Sequence, residues 1–403
     1  MTETTWSRRQ VLGVGIGFVA GCLSSESDDP DVMTMDEVRD IDPKPPTNVT
    51  AMHWVDGFDT DTLAAELDES FTLQTERTSS QAAHETRVAD RLSGANAPET
   101  FLTVTGETLA LYVTTTTLHS LEPEFGNERR STVHPEIVDT VTIEGDVYAI
   151  PVCFDRLNWL LCHTDAARAA DSLETLLRSR NDDAPFVLPR HPPTFLRLFA
   201  LLLLAQSGPT AYRALGAGDS RVTPIRDALV THRRVLHDAS TVVADHDAVA
   251  ETLTERTDSV AFLDATLVSR IGDLTAWSIV PVPGTAETFV GSALGFVFPK
   301  RSMNPQGTMA FLDTVQRDSV QAALARRSRM LPARQNSSVG EDDDYLAALD
   351  RALHETERFL PAVSSGCGLY PDRRYPVLDI LDPATAPEAD EMAIGDLLHD
   401  HLG

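Results

Sequence analysis

The chain predicts an α/β protein of two lobes. Three observations carry that expectation. Strand-like and helix-like runs alternate through residues 48–113, helical patterns dominate residues 165–250, and strands return at residues 259–263, 278–282 and 295–298. Alternating βα units build a sheet with helices against it, and strands that return after a long helical block imply more than one crossing between lobes. The 403 residues suffice for two cores once an N-terminal segment is set aside.

The elements follow in order. Residues 48–54 read as a first strand, with His53-Trp54-Val55-Asp56-Gly57 as the loop after it. Residues 60–70 read as a helix, 71–74 as a short strand and 84–92 as a helix. Residues 99–105 are strand-like, and Gly106 opens a helix through Val113. Residues 140–152 hold a hairpin in which β-branched residues flank Gly145-Asp146, a good turn dipeptide. Residues 157–163 form another apolar strand. Residues 194–205 are nearly all apolar and read as a core helix ending at Gly208-Pro209. From Pro305 onward the pattern is helical.

Charge bounds the partners. The net charge is −28, from 61 acidic and 33 basic side chains, and the only lysines are Lys44 and Lys300. Without a basic stripe to meet phosphates, nucleic acid is excluded as a partner. An acidic, lysine-poor chain fits adaptation to high salt, where screening makes self-repulsion cheap; a merely acidic surface is the alternative.

The N-terminus is the sharpest signal. Ser7-Arg8-Arg9-Gln10-Val11-Leu12 is a twin-arginine pattern, and the apolar run that follows is too short for a permanent membrane span. It ends in Val19-Ala20-Gly21-Cys22, a lipobox-like sequence that makes Cys22 the acylation site. Twin-arginine export carries folded proteins, so residues 1–22 read as a lipoprotein signal and the body as held on the outer face of the membrane. An uncleaved short anchor gives the same topology. The glycines at 13, 15 and 17 lie in this signal, follow no strand, and make no nucleotide fingerprint. Residues 23–48, rich in Ser, Asp and Glu and then Pro, form a disordered spacer. Asn48-Val49-Thr50 and Asn336-Ser337-Ser338 are glycosylation sequons.

Of the four cysteines, Cys22 is committed to the lipid, which leaves Cys153, Cys162 and Cys367 and at most one intrachain disulfide. Cys162-His163 has no partner at zinc-like spacing, so no metal site is expected, and buried thiols are the favoured reading. No H-E-x-x-H, G-x-S-x-G or P-loop pattern occurs, and Gly291-Ser292-Ala293-Leu294-Gly295 misplaces its serine for a nucleophile elbow. An enzyme is therefore the remote alternative, and no cofactor is expected.

Several segments, in order, resemble the carbohydrate-type extracellular solute-binding proteins of ABC transporters. Tyr148-Ala149-Ile150-Pro151-Val152, followed by Arg156-Leu157-Asn158-Trp159, is similar to that family's first interlobe crossing. Residues 195–215 resemble its apolar helix, with a Gly-Pro inside. Val280-Pro281-Val282-Pro283-Gly284-Thr285, Phe296-Val297-Phe298-Pro299-Lys300 and Met330-Leu331-Pro332-Ala333-Arg334 resemble later family segments. The resemblance spans residues 49 to about 380 and implies a type II periplasmic-binding-protein-like fold. In such a fold two lobes, joined by crossing strands, close on a solute in their cleft and deliver it to a permease.

The implied layout places residues 49–152 and 261–304 in lobe 1, 153–260 and 305–385 in lobe 2, and 386–403 in a C-terminal tail. The implied solute is a sugar, with the ABC permease and, through the lipid, the membrane as partners, and the protein as a monomer.

The candidate ligand-binding residues follow. Trp54 would stack on a sugar face, or is plain core, with Asp56 beside it. Gly106 and Glu107 open a helix where backbone N–H groups are free, although Glu107 also suits a first turn in its own right. Asp155, Arg156 and Asn158 lie at the crossing, where Asp155 and Arg156 read equally as a structural pair. Trp277 precedes a returning strand, and site or core are even readings of it. The chain departs from the family at Leu102 and Val104, where Gln and His are usual, at Pro193-Thr194, where a Trp is missing, and at Asp264-Ala265-Thr266, which replaces Gly-Asp-Trp. These departures keep open a surface lipoprotein of the same fold with a protein or non-sugar ligand.

Overall fold

A computed structural model describes Glu37 and residues 47–363, except 59–62, 64–70, 95–96, 116, 123–124, 164–171, 181–183, 191, 217–226, 229–230, 233–239, 257 and 338–342. The signal with Cys22, nearly all of the spacer, the helix expected at 60–70 apart from Leu63, Cys367 and the tail 386–403 lie outside the described residues, as does Ser338 of the second sequon.

The strands, in chain order, are β1 (Thr47–His53), β2 (Phe71–Arg77), β3 (Thr100–Val104), β4 (Thr142–Ile143), β5 (Asp146–Val147), β6 (Ala149–Arg156), β7 (Trp159–Cys162), β8 (Phe186–Pro189), β9 (Ser240–Val243), β10 (Val260–Leu263), β11 (Ser278–Pro281), β12 (Thr288–Val297), β13 (Leu331–Pro332) and β14 (Arg358–Pro361). The helices used below are α1 (Gln81–Ser93), α2 (Glu107–Thr114), α3 (Pro192–Gly216), α4 (His246–Glu255), α5 (Ala265–Ile271), α6 (Pro305–Val315), α7 (Asp318–Ser328) and α8 (Asp344–Glu355).

The described chain divides into two compact units. The first holds residues up to Phe154 together with Ala293–Ala347; the second holds Asp155–Ser292 and the described part of Ala348–Ser365. The first crossing falls at Phe154 and Asp155. The return differs from the expectation that residues 261–304 belong to lobe 1 and 305–385 to lobe 2. β10 and β11 both pair antiparallel with β7, which keeps residues 261–292 in the second unit. Residues 305–347 join the first unit, where α6 packs on β1 and α7 on β13. Apolar strands find their sheet by pairing, so register rather than order along the chain decides the unit.

In the first unit the strand order is β13-β6-β12-β3-β1-β2. β1 is parallel to β2 and β3, and β12 is antiparallel to β3. Every residue of β3 is buried, as expected of a strand covered on both faces. In the second unit the order is β11-β7-β10-β8-β9, and β14 pairs with the first residues of β12. β8 and β9 stand where only helices were expected. Strands β6 and β12 each pass from one unit to the other.

The second unit's core surrounds α3, whose Leu198, Phe199, Leu201, Leu202 and Leu203 are almost fully buried. The stretch Thr194–Arg213 is long and apolar enough to cross a membrane, and burial of 61% of it accounts for that composition. The helix does not stop at Gly208-Pro209 but kinks there: Gly208 adopts φ +77°, and helix resumes to Gly216. Pro209 lacks the N–H and crowds the preceding turn, so the kink sits where the sequence predicted an end. In the hairpin, Glu144 and Gly145 occupy the turn with φ of +54° and +99°, and Asp146 already belongs to β5. A two-residue turn of this hand needs positive φ at both central positions, which moves it one residue back from Gly145-Asp146. Cys153 and Cys162 are both fully buried, and Asn48 of the first sequon stands exposed in β1.

Candidate functional site

In parallel strands of an α/β sheet, ligands gather beyond the carboxyl ends. In the first unit, β1 and β3 are parallel neighbours, with Ala51 opposite Thr100. The loop after β1 and the turn after β3 therefore emerge at one end of the sheet. Trp54, Asp56, Gly106 and Glu107 share that end. Trp54 is half-buried, its ring 4.8 Å from that of His84 on α1. Asp56 forms an ion pair with Arg77 at the end of β2, which ties two strand ends together at the surface. Gly57 has φ +87°, and a Cβ there would lie 2.7 Å from the Arg327 backbone. The loop thus rests directly on the last turn of α7.

Gly106 has φ +78° and donates its N–H to Thr140 O at 2.7 Å. A Cβ on Gly106 would meet nothing within 4 Å, so its conformation alone selects glycine. No side chain caps α2, and its first N–H groups carry the partial positive charge of a helix start. The departures Leu102 and Val104 are buried in β3.

In the second unit the crossing residues are turned inward. Asp155, Arg156 and Asn158 are 3%, 3% and 0% exposed. Asp155 accepts the N–H of Arg156 at 2.7 Å and that of Ala265, the first residue of α5, at 2.8 Å. Arg156 donates to Asn158 Oδ1 and to Thr288 O, each at 3.0 Å. Its guanidinium lies over the rings of Trp159 and Phe289, and burial lowers its pKa to about 10. The Asn158 amide donates to Thr285 O, Thr285 Oγ1 and Thr288 O, and its Oδ1 also accepts from Val290 N at 3.1 Å. These contacts lock the start of β7 to the turn before β12.

Trp277 is not brought to these residues. β11 runs antiparallel to β7, with Ser278 opposite Cys162 and Pro281 opposite Trp159. Trp277 therefore lies at the far end of β7 from Asn158, its ring 3.6 Å from that of His163. That is the amino end of the parallel strands β8, β9 and β10, away from the end at which such sheets bind ligands.

Comparison with known proteins agrees with this architecture. No family model matches the chain. It is 23% identical over 309 residues to the xylose/arabinose-binding protein XacG of Haloferax volcanii, covering 70% of the chain and 66%, just under two thirds, of that relative's length. A structure from work on xylan utilization by Caldanaerobius polysaccharolyticus matches with a TM-score of 0.73 at 13% identity, over 88% of the chain and all of that structure. The maltotriose-bound maltodextrin-binding domain of Bdellovibrio bacteriovorus matches with a TM-score of 0.66 at 14% identity, over 88% and 98%. The chain has the solute-binding-protein fold.

Asp264, which the sequence marks only as a departure from the family pattern, and Arg197, which it does not mark, organise the second unit of this solute-binding fold. Asp264 caps α5 by accepting Leu267 N at 3.0 Å, and Arg197 from α3 meets it at 3.1 Å. Arg197 also donates to Leu157 O and Leu263 O, each at 2.6 Å, and stacks on Phe262. His246, the first residue of α4, lies 3.7 Å from the Asp264 carboxylate.

Burial alone would lower the His246 pKa, but the hydrogen bond and charge of Asp264 outweigh it, against Arg197 and Arg270, and the net shift is upward from 6.5. A raised histidine pKa gives stability that is full below the unfolded value and fades as pH rises through the folded one. We therefore expect His246→Asn to be destabilised relative to the native chain most below pH 6.5. That difference should shrink steadily at higher pH in denaturant melts. A pH-independent difference would remove the ion pair as its cause.

Proposed function

We propose that the chain captures a small sugar outside the cell and hands it to a membrane ABC permease, as a binding protein rather than an enzyme. The observation that carries this is a solute-binding fold joined to a detectable relation to a xylose/arabinose-binding protein. The lipobox at Cys22 and the twin-arginine pattern at Arg8-Arg9 support a lipid-anchored body exported after folding, and the excess of acidic residues supports a saline environment. Ligand contact is assigned to Trp54, Asp56, Gly106 and Glu107. Trp54 offers an aromatic face, Asp56 a carboxylate and the start of α2 backbone donors, the usual means of holding hydroxyls and apolar sugar faces. Asp155, Arg156 and Asn158 serve the second unit as a structural lock, and Trp277 serves structure at its own end of β7. The buried Leu102 and Val104 favour a second reading, a surface lipoprotein of this fold with a protein or non-sugar ligand.

Thermal melting in molar salt separates the two. Xylose, arabinose, maltotriose and a panel of polyols are each added in large excess. A ligand present at a hundredfold over its Kd stabilises by roughly 2.7 kcal/mol, which for a chain of this size is a rise of about 3 °C in Tm. The expected result is such a rise with one sugar, abolished by Trp54→Ala. Flat melts across the whole panel would transfer the assignment to the second reading.

A further inference from the structure

His84 plays no part in the site as assigned above, yet it is the side chain against which Trp54 leans. It lies on the inner face of α1 and is 1% exposed. Its Nε2 is 2.7 Å from Leu102 O. A carbonyl oxygen only accepts, so Nε2 carries the proton and Nδ1 holds a bare lone pair. Among the described residues no donor reaches Nδ1. A buried ring atom without a partner costs stability that an apolar side chain at this position would not incur. Something other than packing therefore accounts for a histidine here.

The surroundings indicate what that is. The His84 ring lies 4.8 Å from that of Trp54 and 6.4 Å from that of Phe101. Phe101 meets Tyr112 of α2 edge-on at 5.0 Å. The four rings form one column that joins the loop after β1 to the helix opened by Gly106 and Glu107, the two parts of the assigned ligand surface. Within it His84 is anchored to β3 by its hydrogen bond to Leu102 O.

We propose that His84 is the positioning residue for solute binding, holding the Trp54 ring at the angle at which it meets the ligand. The proposal rests on the assignment of Trp54 to the ligand surface. Burial first, and then the charge of His53 on β1, lowers the His84 pKa from 6.5 to about 4, against the hydrogen bond to Leu102. The pedestal is thus neutral across the working range. The other titratable groups along this stretch of α1 include Glu85, next to it, Arg87, three residues on, and Arg91, two turns on, both arginines being held by Glu76.

The test uses the full chain labelled with 5-fluorotryptophan, with the Trp54 ¹⁹F resonance assigned by its loss in Trp54→Phe. Two variants separate the ring from the hydrogen bond: His84→Phe keeps the ring, and His84→Asn keeps a donor for Leu102 O. At neutral pH the Trp54 resonance is expected to move or broaden in His84→Asn while that of Trp159 stays sharp. The sugar identified by melting should bind His84→Asn roughly three- to tenfold more weakly, the range expected for a lost ring contact, and His84→Phe within about twofold of the native chain. On acidification the native Trp54 resonance should titrate near pH 4, and that titration should vanish in His84→Phe.

A Trp54 resonance identical in the native chain and His84→Asn overturns the proposal, as does native affinity in His84→Asn. If the native chain binds no sugar in the panel, the sugar reading fails by itself. The resonance comparison, which needs no ligand, still decides whether His84 holds Trp54.

Discussion

Asn158→Ala should destabilise the chain by about 3–5 kcal/mol, the largest loss we expect from any single truncation at the crossing. Asn158 is wholly buried and uses both ends of its amide: Nδ2 on Thr285 and Thr288, Oδ1 on Arg156 and Val290. Alanine removes these contacts and strands the Arg156 Nε and Val290 N–H, each at about 1–3 kcal/mol. The Arg156 charge then loses a neutral acceptor in a site whose burial already lowers its pKa. Urea melts of the native chain and variant measure this directly. A variant of native stability that has lost sugar affinity would reverse the assignment and return Asn158 to the ligand surface.

Gly57→Ala should cost about 3 kcal/mol and take ligand affinity with it. Two terms add. An L-residue at φ +87° is strained by about 1–2 kcal/mol, and the new Cβ would sit 2.7 Å from backbone and Cβ atoms of Arg327. Those atoms belong to the last turn of a packed helix and cannot rotate away, so the loop must lift, carrying Trp54 and Asp56. Gly106→Ala is the control. Its φ of +78° imposes similar strain, but no atom lies within 4 Å of the added carbon, so only the first term applies. Thermal melts and sugar titration of both variants check the pair. Equal losses in the two would mean that the contact with Arg327 carries no energy.

Much of the fold was legible because its strands are long or strongly apolar. β1, β3, β7, β10 and β11 fall within a residue or two of where the hydrophobic pattern placed them. β8 and β9 escaped because they are set among helical stretches, and β9 is only half-buried along its length. The turn of the hairpin slipped by one residue because Gly-Asp is a common turn pair, whereas Glu144 at positive φ is set by its context. Chain order could not show that β10 and β11 stay with β7, since pairing depends on register across the sheet.

That Trp54, Asp56, Gly106 and Glu107 share one end of the first sheet was legible from their place after strands. The inward orientation of Asp155, Arg156 and Asn158 was left open, because the sequence reads Asp155 and Arg156 both as ligand contacts and as a structural pair until their partners are known. Asp264 was visible only as a departure from the family pattern. The signal for His84 is its spacing from Val88 on one face of α1, which a single sequence does not distinguish from ordinary core packing.

The passage of β12 from one unit into the other governs the order in which the molecule can be made. Leu294 pairs with Val104, and β12 lies between β3 and β6, yet all of Asp155–Ser292 is synthesised in the interval. At ordinary translation speeds this is on the order of 10–40 s, during which two nascent strands present open edges with no partner. The second unit has its largest segment, Asp155–Ser292, before the first unit can close its sheet, and it takes β14 later still. For a protein proposed to leave the cell already folded, the cargo becomes competent only after Ala293–Ala347 has been made. A truncation anywhere before residue 293 should leave a product that the export machinery does not accept.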